Sequence, residues 1–217
     1  MIKTKWFPVG ELQANCYLVT DEEAGAALLV DTGAPHRELE REIEMFGGDK
    51  LQYILLTHGH FDHIGYTAAL KQQYPQVKIV ISEKDAPFTH RDDLNLSLFF
   101  EGTLPHFDAD ILVKDGDRLP FGSGTIEVIA TPGHTAGGVC YRIDDSLFTG
   151  DTLISLTTGR TDFPTGNTRE MLRSIKRLAA IPGDLKVYCG HGESSTLAYE
   201  RDHNFAMRDF SDDDLSE

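Results

Sequence analysis

The chain has 217 residues, 40% of them hydrophobic and 25% charged, which suits one sizeable buried core, and no break in composition favours a second. A formal net charge of −15, with no Lys/Arg cluster to offset it, disfavours docking on nucleic acid or anionic lipid. The longest apolar runs, such as residues 26–30, are strand-sized and far short of a membrane span.

In chain order, Lys3 and Lys5 are followed by no apolar run or small-residue cleavage site, so no secretory signal is expected. Strand-like runs occur at 16–19, 26–30 and 53–56, each closed by polar residues or glycine. Over 37–46, Leu39, Ile43 and Phe46 recur at helical spacing among charges, which predicts an amphipathic helix. Residues 66–74 suit a helix that Pro75 ends, and 77–81 a further strand. Residues 88–110 show little periodicity and predict a surface loop of the kind that shapes a substrate pocket.

In the second half, 125–130, 138–143, 146–149 and 185–189 read as strands. Residues 168–179 read as a helix with Leu172, Ile175 and Leu178 on one side, and 194–205 as a closing helix. This order predicts two packed sheets flanked by helices in a single domain over residues 1–208. The acidic run 209–217 is expected to be a solvated, frayed tail. Cys16, Cys140 and Cys189 are odd in number and each sits in a strand-like run; they read as buried free thiols, and a cytoplasmic location is expected.

The chemistry gathers where the strand at 53–56 runs into Thr57-His58-Gly59-His60-Phe61-Asp62-His63. Four candidate ligands, His58, His60, Asp62 and His63, fall within six residues at a predicted tight turn. Gly59 and Gly65, lacking Cβ, give the turning backbone room there. Imidazoles suit zinc, iron, copper or nickel, and carboxylates can bridge two ions, so the set fits transition metals better than magnesium or calcium. Three further strand ends each carry one candidate: Pro132-Gly133-His134, Thr149-Gly150-Asp151 and Cys189-Gly190-His191. A lone His or Asp beside Gly or Pro is ordinary turn chemistry, but all three in this order after the first cluster is not.

T-H-x-H-x-D-H followed by His, Asp and His resembles the metallo-β-lactamase superfamily over roughly residues 10–195. Within it the chain most resembles the hydroxyacylglutathione hydrolase (glyoxalase II) branch, on Val30-Asp31-Thr32-Gly33, Gly150-Asp151-Thr152 and Gly159-Arg160-Thr161-Asp162-Phe163. It looks like a short form without the C-terminal glutathione-binding region. The resemblance implies an α/β fold, an αββα sandwich of two mixed β-sheets flanked by helices. It implies two Zn2+ ions per chain, with Fe or Mn as options. His58, His60 and His134 would hold one ion, Asp62, His63 and His191 the other, and Asp151 would bridge them. Asp31 would support the metal loop by hydrogen bonding.

The activity implied is hydrolysis of a small-molecule acyl thioester by a metal-bridging hydroxide, with Asp62 catalytic as well as ligating. Two dications and two carboxylates leave about +2 in the site, enough for a bound water to ionise near pH 7. Gly192-Glu193 stand where glutathione-binding members place an aromatic residue, so the thiol carrier and the substrate-binding residues are left unassigned. Arg160 and Asp162 read as a loop-fixing ion pair rather than a substrate contact, and His36, His90, His106 and His203 as ordinary surface or loop residues. Two rivals stay open: a persulfide dioxygenase with one iron on His58, His134 and Asp151, and a non-catalytic metal-binding scaffold. A zinc β-lactamase is disfavoured because many members put a cysteine where Asp151 stands.

Overall fold

The computed structural model describes residues 2–100 and 102–208; the acidic run at 209–217 lies outside the described residues. Strands β1 (Ile2–Val9), β2 (Ala14–Asp21) and β3 (Ala26–Val30) form an antiparallel meander. Helix α1 (Arg37–Phe46) then leads to β4 (Leu51–Leu55), parallel to β3. Helices α2 (Phe61–Ile64) and α3 (Thr67–Gln73) precede β5 (Lys78–Ser82). Helix α4 (Ser97–Phe100) precedes β6 (Ile111–Val113), which completes a six-stranded sheet in sequence order.

A second six-stranded sheet starts with the antiparallel strands β7 (Arg118–Phe121), β8 (Gly124–Ala130), β9 (Val139–Ile143) and β10 (Ser146–Gly150). Helix α5 (Thr168–Ala179) carries the chain to β11 (Lys186–Cys189), parallel to β10. Strand β12 (Ser195–Thr196) then forms the edge, and α6 (Leu197–His203) and α7 (Phe205–Arg208) follow.

Burial explains the layering. In β3, Ala26, Leu28 and Val30 enter the layer between the sheets with Tyr17, Leu55, Tyr141 and Phe148, whereas Ala27 and Leu29 join Leu39 and Ile43 of α1 and Leu70 of α3. A strand covered on both faces reads as a continuous apolar run, which is why 26–30 shows no alternation. On the far side, Met171, Ile175 and Leu178 of α5 pack with Leu147 and Val187. The arrangement is the expected αββα sandwich of two mixed sheets. Both long amphipathic helices fall on the predicted residues, capped by His36, which accepts from the Leu39 amide at 3.3 Å, and by Asn167, which accepts from Glu170 at 3.0 Å.

Some expectations need correcting. β1, β6, β7 and β12 carried no clear strand signal; β1 is an edge strand with exposed Lys3, Lys5 and Trp6 and a Pro8 that an edge tolerates. The segment 88–110 is more than a surface loop. It contains α4 and buries Asn95, Leu96 and Ser97. Asn95 donates to the Phe88 carbonyl at 2.9 Å and accepts from the Ser97 amide at 2.9 Å. A segment folded on side-chain-to-backbone bonds of this kind leaves no hydrophobic period to read. The three cysteines are buried and free. Among the described residues no helix is long and apolar enough to cross a membrane.

β8 and β10 are both antiparallel to β9, and β11 is parallel to β10, so all three strands terminate at the same end of the second sheet. That end meets the end of β4, where the Tyr141 hydroxyl donates to the Leu56 carbonyl at 2.9 Å. Leu28 is fully buried between the sheets. Leu28→Ala is expected to lower stability by about 2–5 kcal/mol in urea unfolding; a loss well under 1 kcal/mol would show that the layers do not close on this side chain.

Candidate metal centre

Beyond β4 the chain is pinned before it reaches the first imidazole. The Thr57 amide and hydroxyl both donate to the buried Asp31 carboxylate, at 2.8 Å each. His58, Gly59 and His60 follow in a loop, but the cluster is not the single tight turn the sequence suggested. Phe61 starts α2, so Asp62 and His63 project from a short helix whose ends Phe61 and Ile64 are both buried. The glycines are needed for space rather than for a left-handed backbone. A Cβ on Gly59 would lie 2.3 Å from Phe88, and one on Gly65, at φ −59°, 2.5 Å from the Gly33 carbonyl oxygen. Gly33 and Gly190 are tighter still around the candidate ligands, since a Cβ would lie 1.6 Å from the Asp62 carbonyl oxygen at the first and 2.0 Å from Asp151 Oδ1 at the second.

His134 follows β8, Asp151 follows β10 and His191 follows β11, and all seven candidates converge. His60 Nδ1 lies 2.8 Å from His134 Nε2, and His63 Nε2 lies 3.3 Å from His191 Nε2 and 3.5 Å from Asp151 Oδ1. Asp62 Oδ2 is 3.3 Å from His191 Nε2. Three overlapping groups could each hold a metal ion: His58, His60 and His134; His58, His63 and Asp151; and Asp62, His63 and His191. Within each, the ligand atoms lie within 4.8 Å of one another.

The residues fit a metal on two counts. His58 Nε2, His60 Nε2 and Asp151 Oδ1 are buried without a hydrogen-bond partner, an arrangement costing about 1–3 kcal/mol per group unless an ion occupies the lone pairs. Four imidazoles are also anchored through their other nitrogen. His63 Nδ1 is 2.9 Å from Asp31, His134 Nδ1 is 2.7 Å from the Arg160 carbonyl, His58 Nδ1 is 3.1 Å from Thr57 Oγ1, and His191 Nδ1 is 3.2 Å from the Leu12 carbonyl. Outer hydrogen bonds of this kind fix the ring orientation of metal-ligating histidines.

Electrostatics agree. Burial, reinforced by neighbouring imidazoles, pushes His58 and His60 well below the ordinary histidine range, so both are neutral donors. Burial alone would lower His63 too, but the charges of Asp62, Asp31 and Asp151 outweigh it and raise the ring to about 10. Burial of Asp62 is likewise outweighed by His63 and His191, which hold its carboxyl well below the usual range. A proton on His63 thus balances the carboxylates, and a bound cation would displace that proton.

A cleft of about 440 Å³ opens over these ligands, walled by Leu12, Phe61, Leu96, Phe100, Ile154 and Phe163. Arg160 makes the expected ion pair, bidentate to Asp162 at 2.6 Å for each contact, and its guanidinium sits 4.0 Å over the Phe163 ring. The same stretch lines the cleft, so the loop it fixes is also a wall of the site. The other histidines have partners elsewhere: His36 caps α1, His90 faces Asp108, His106 faces Asp92, and His203 bonds the Tyr199 carbonyl.

Two residues that support the site carry no signal in the sequence. Asp85, wholly buried, accepts from Gly59 N at 3.0 Å, Thr135 Oγ1 at 2.7 Å and Gly137 N at 2.8 Å. Burial pushes its carboxyl up, against the pull of those three bonds. Asn15 donates to the Cys189 and Gly192 carbonyls at 2.9 Å each, and its amide to the Gly190 carbonyl at 2.7 Å, fastening the His191 loop. In one sequence, Asp85 within Glu83-Lys84-Asp85 looks like any solvated turn, and Asn15 like any residue opening a strand.

Comparison with known proteins agrees with this geometry. Residues 9–191 match the model of the metallo-beta-lactamase superfamily. The probable metallo-hydrolase YqgX of Bacillus subtilis is 32% identical over 214 residues, spanning 95% of this chain and 99% of its own. Hydroxyacylglutathione hydrolase GloC of Haemophilus influenzae is 32% identical over 206 residues, spanning 91% and 94%. Among solved structures, the B3 metallo-beta-lactamase BLEG-1 superposes with a TM-score of 0.84 at 31% identity, covering 94% of this chain and 99% of its own. TTHA1623 in a di-iron-bound form gives 0.81 at 30%, covering 93% and 98%. ETHE1 from Myxococcus xanthus gives 0.78 at 29%, covering 98% and 88%. The chain is a member of the metallo-beta-lactamase superfamily.

Proposed function

We propose that this chain is a metal-dependent hydrolase of the hydroxyacylglutathione hydrolase type, acting on a small-molecule acyl thioester. The observation that carries the reading is the donor set, complete for two ions and converging at the base of one cleft. In this reading His58, His60 and His134 hold one ion, Asp62, His63 and His191 the other, and Asp151 serves both. Five imidazoles with two carboxylates suit zinc, and iron or manganese would also be accepted. The similarity to a hydroxyacylglutathione hydrolase along nearly the whole chain supports the thioester as substrate.

Bound ions of this kind bring the pKa of a water to roughly 7 and polarise a carbonyl. The chain's own residues supply position and proton transfer. Asp62, partly buried and lining the cleft, is the carboxylate placed to accept the proton that the attacking water loses. The water oxygen bonds to the carbonyl carbon, the carbon–sulfur bond breaks, and the proton passes to the departing sulfur, giving a carboxylic acid and a thiol. Leu96, Phe100 and Ile154 offer the acyl group an apolar wall beside the candidate ligands.

The likeness to ETHE1 favours a second reading, a persulfide dioxygenase with one iron on His58, His134 and Asp151. Such an enzyme would leave Asp62, His63 and His191 unused, although they form a ligand group of their own.

Metal analysis combined with a substrate panel separates these readings. About two ions per chain, with hydrolysis of acyl-glutathione or another low-molecular-weight thioester, is the expected result. One iron per chain with oxygen consumption on glutathione persulfide would replace it by the second reading, nitrocefin turnover alone would point to a lactamase, and an apo protein that takes up no metal would leave only the scaffold.

Substitution gives an independent check. His58→Ala and Asp151→Ala are expected to lose both metal occupancy and turnover, and full activity in either stably folded variant would sink the assignment. Asp62→Asn, which removes the proton acceptor, is expected to lower kcat by about 10²-fold or more in steady-state assays.

A further inference from the structure

The three-imidazole group is assembled from both sheets, with His58 and His60 beyond the end of β4 and His134 beyond the end of β8. An ion can be held there only if two loops from different layers keep a fixed separation. Asp85, just after β5, spans that junction. Its Oδ2 accepts from the amide of Gly59, the residue between the two imidazoles of one loop, and from the hydroxyl of Thr135, adjacent to the imidazole of the other. Its Oδ1 accepts from Gly137, two residues further along the second loop. A Cβ on Gly137 would lie 2.4 Å from Oδ1, so the backbone closes directly on the carboxylate.

The partners of the Asp85 carboxylate are the Gly59 amide, the Thr135 hydroxyl and the Gly137 amide, none of them cationic, and the residue has no exposure to water. A desolvated carboxylate without a cationic partner is tolerated only when its oxygens are saturated by donors, and here every donor belongs to a loop that carries imidazole ligands. Asp31 differs: it binds Thr57, which touches His58, as well as His63 Nδ1, and so braces a ligand of each group. Of these two buried carboxylates, Asp85 is the one whose side-chain contacts are confined to the loops of the three-imidazole group.

We propose that Asp85 is a positioning residue that sets the affinity of the His58, His60 and His134 group for its metal ion, separately from the Asp62, His63 and His191 group. This rests on the two-ion reading of the site but not on which bond the enzyme breaks, and wild-type protein that takes up a single ion refutes that reading, and the proposal with it, before any variant is compared.

The test is calorimetric titration of the apo protein with Zn2+, backed by metal analysis, with circular dichroism as the check of fold. Folded Asp85→Asn and Asp85→Ala are expected to bind one ion as wild type does and the other about 10- to 100-fold more weakly. Thr135→Val, which removes a single donor, should weaken the same ion by less. In a His191→Ala background, where the Asp62, His63 and His191 group is broken, Asp85→Asn should still weaken the ion on the three imidazoles. Asp31→Ala, by contrast, should weaken both ions. A folded Asp85→Asn protein that binds both ions with unchanged affinity overturns the proposal, as does a loss spread equally over the two. Should Asp85→Ala fail to fold, Asp85→Asn and Thr135→Val decide between these outcomes.

Discussion

Five imidazoles and two carboxylates share one edge of the sandwich, and holding them together against desolvation and mutual repulsion is the constraint on which the rest depends. Ring centroids of His58 and His63 lie 4.2 Å apart, those of His60 and His134 4.6 Å, and those of His58 and His134 4.7 Å. Such a cluster cannot be fully protonated, because burial and neighbouring rings drive His58 and His60 to the neutral form. It cannot be wholly neutral either, because Asp62 and Asp151 need compensation; in the chain itself, His63 provides it. Cations held by these residues would relieve both demands at once, because His58, His60 and Asp151 have unpartnered lone pairs to offer and the carboxylates need positive charge.

The fold answers this constraint with rigid anchors. Every candidate ligand follows closely on the C-terminal end of a strand: β4 for the first four, β8, β10 and β11 for the others. Core packing on both faces of each sheet fixes those ends, with Leu28, Leu55 and Tyr141 inside the sandwich and Leu39, Ile43 and Ile175 outside it. The loops beyond the strand ends are then tied down by groups outside the candidate ligand set. The Asp31 side chain holds Thr57 and His63, Asn15 holds the turn around His191, and the backbone carbonyl of Arg160 orients His134. Such supports matter because a ligand displaced by about 0.5 Å no longer presents a productive geometry.

What the sequence made legible follows from the same division. The ligands stood out because residue type and spacing are themselves the chemistry: His58, His60, Asp62 and His63 crowd into six positions, and Gly or Pro marks each later strand end. Residues 26–30, 37–46 and 168–179 were readable because tertiary packing agrees there with local pattern. Strands β1 and β12 were not, since an edge strand buries little and β12 is two residues long. Asp85 and Asn15 were beyond reach for a different reason. Their role lies in contacts 26 to 177 positions away along the chain, and nothing in their neighbours marks an acid or an amide as buried.

The walls of the cleft explain why the class of chemistry is easier to read than the substrate. The candidate metal ligands follow strand ends, where packing and glycine leave little freedom. Leu12, Leu96, Phe100, Ile154 and Phe163 instead come from a hairpin turn, the aperiodic segment around α4 and the loop before α5. Loops on a fixed scaffold tolerate exchange of side chains at small cost to stability, so the same ligand geometry can sit beneath differently shaped walls. Selectivity for a substrate therefore depends on residues that obey no periodicity, and pattern reading has the least purchase on them.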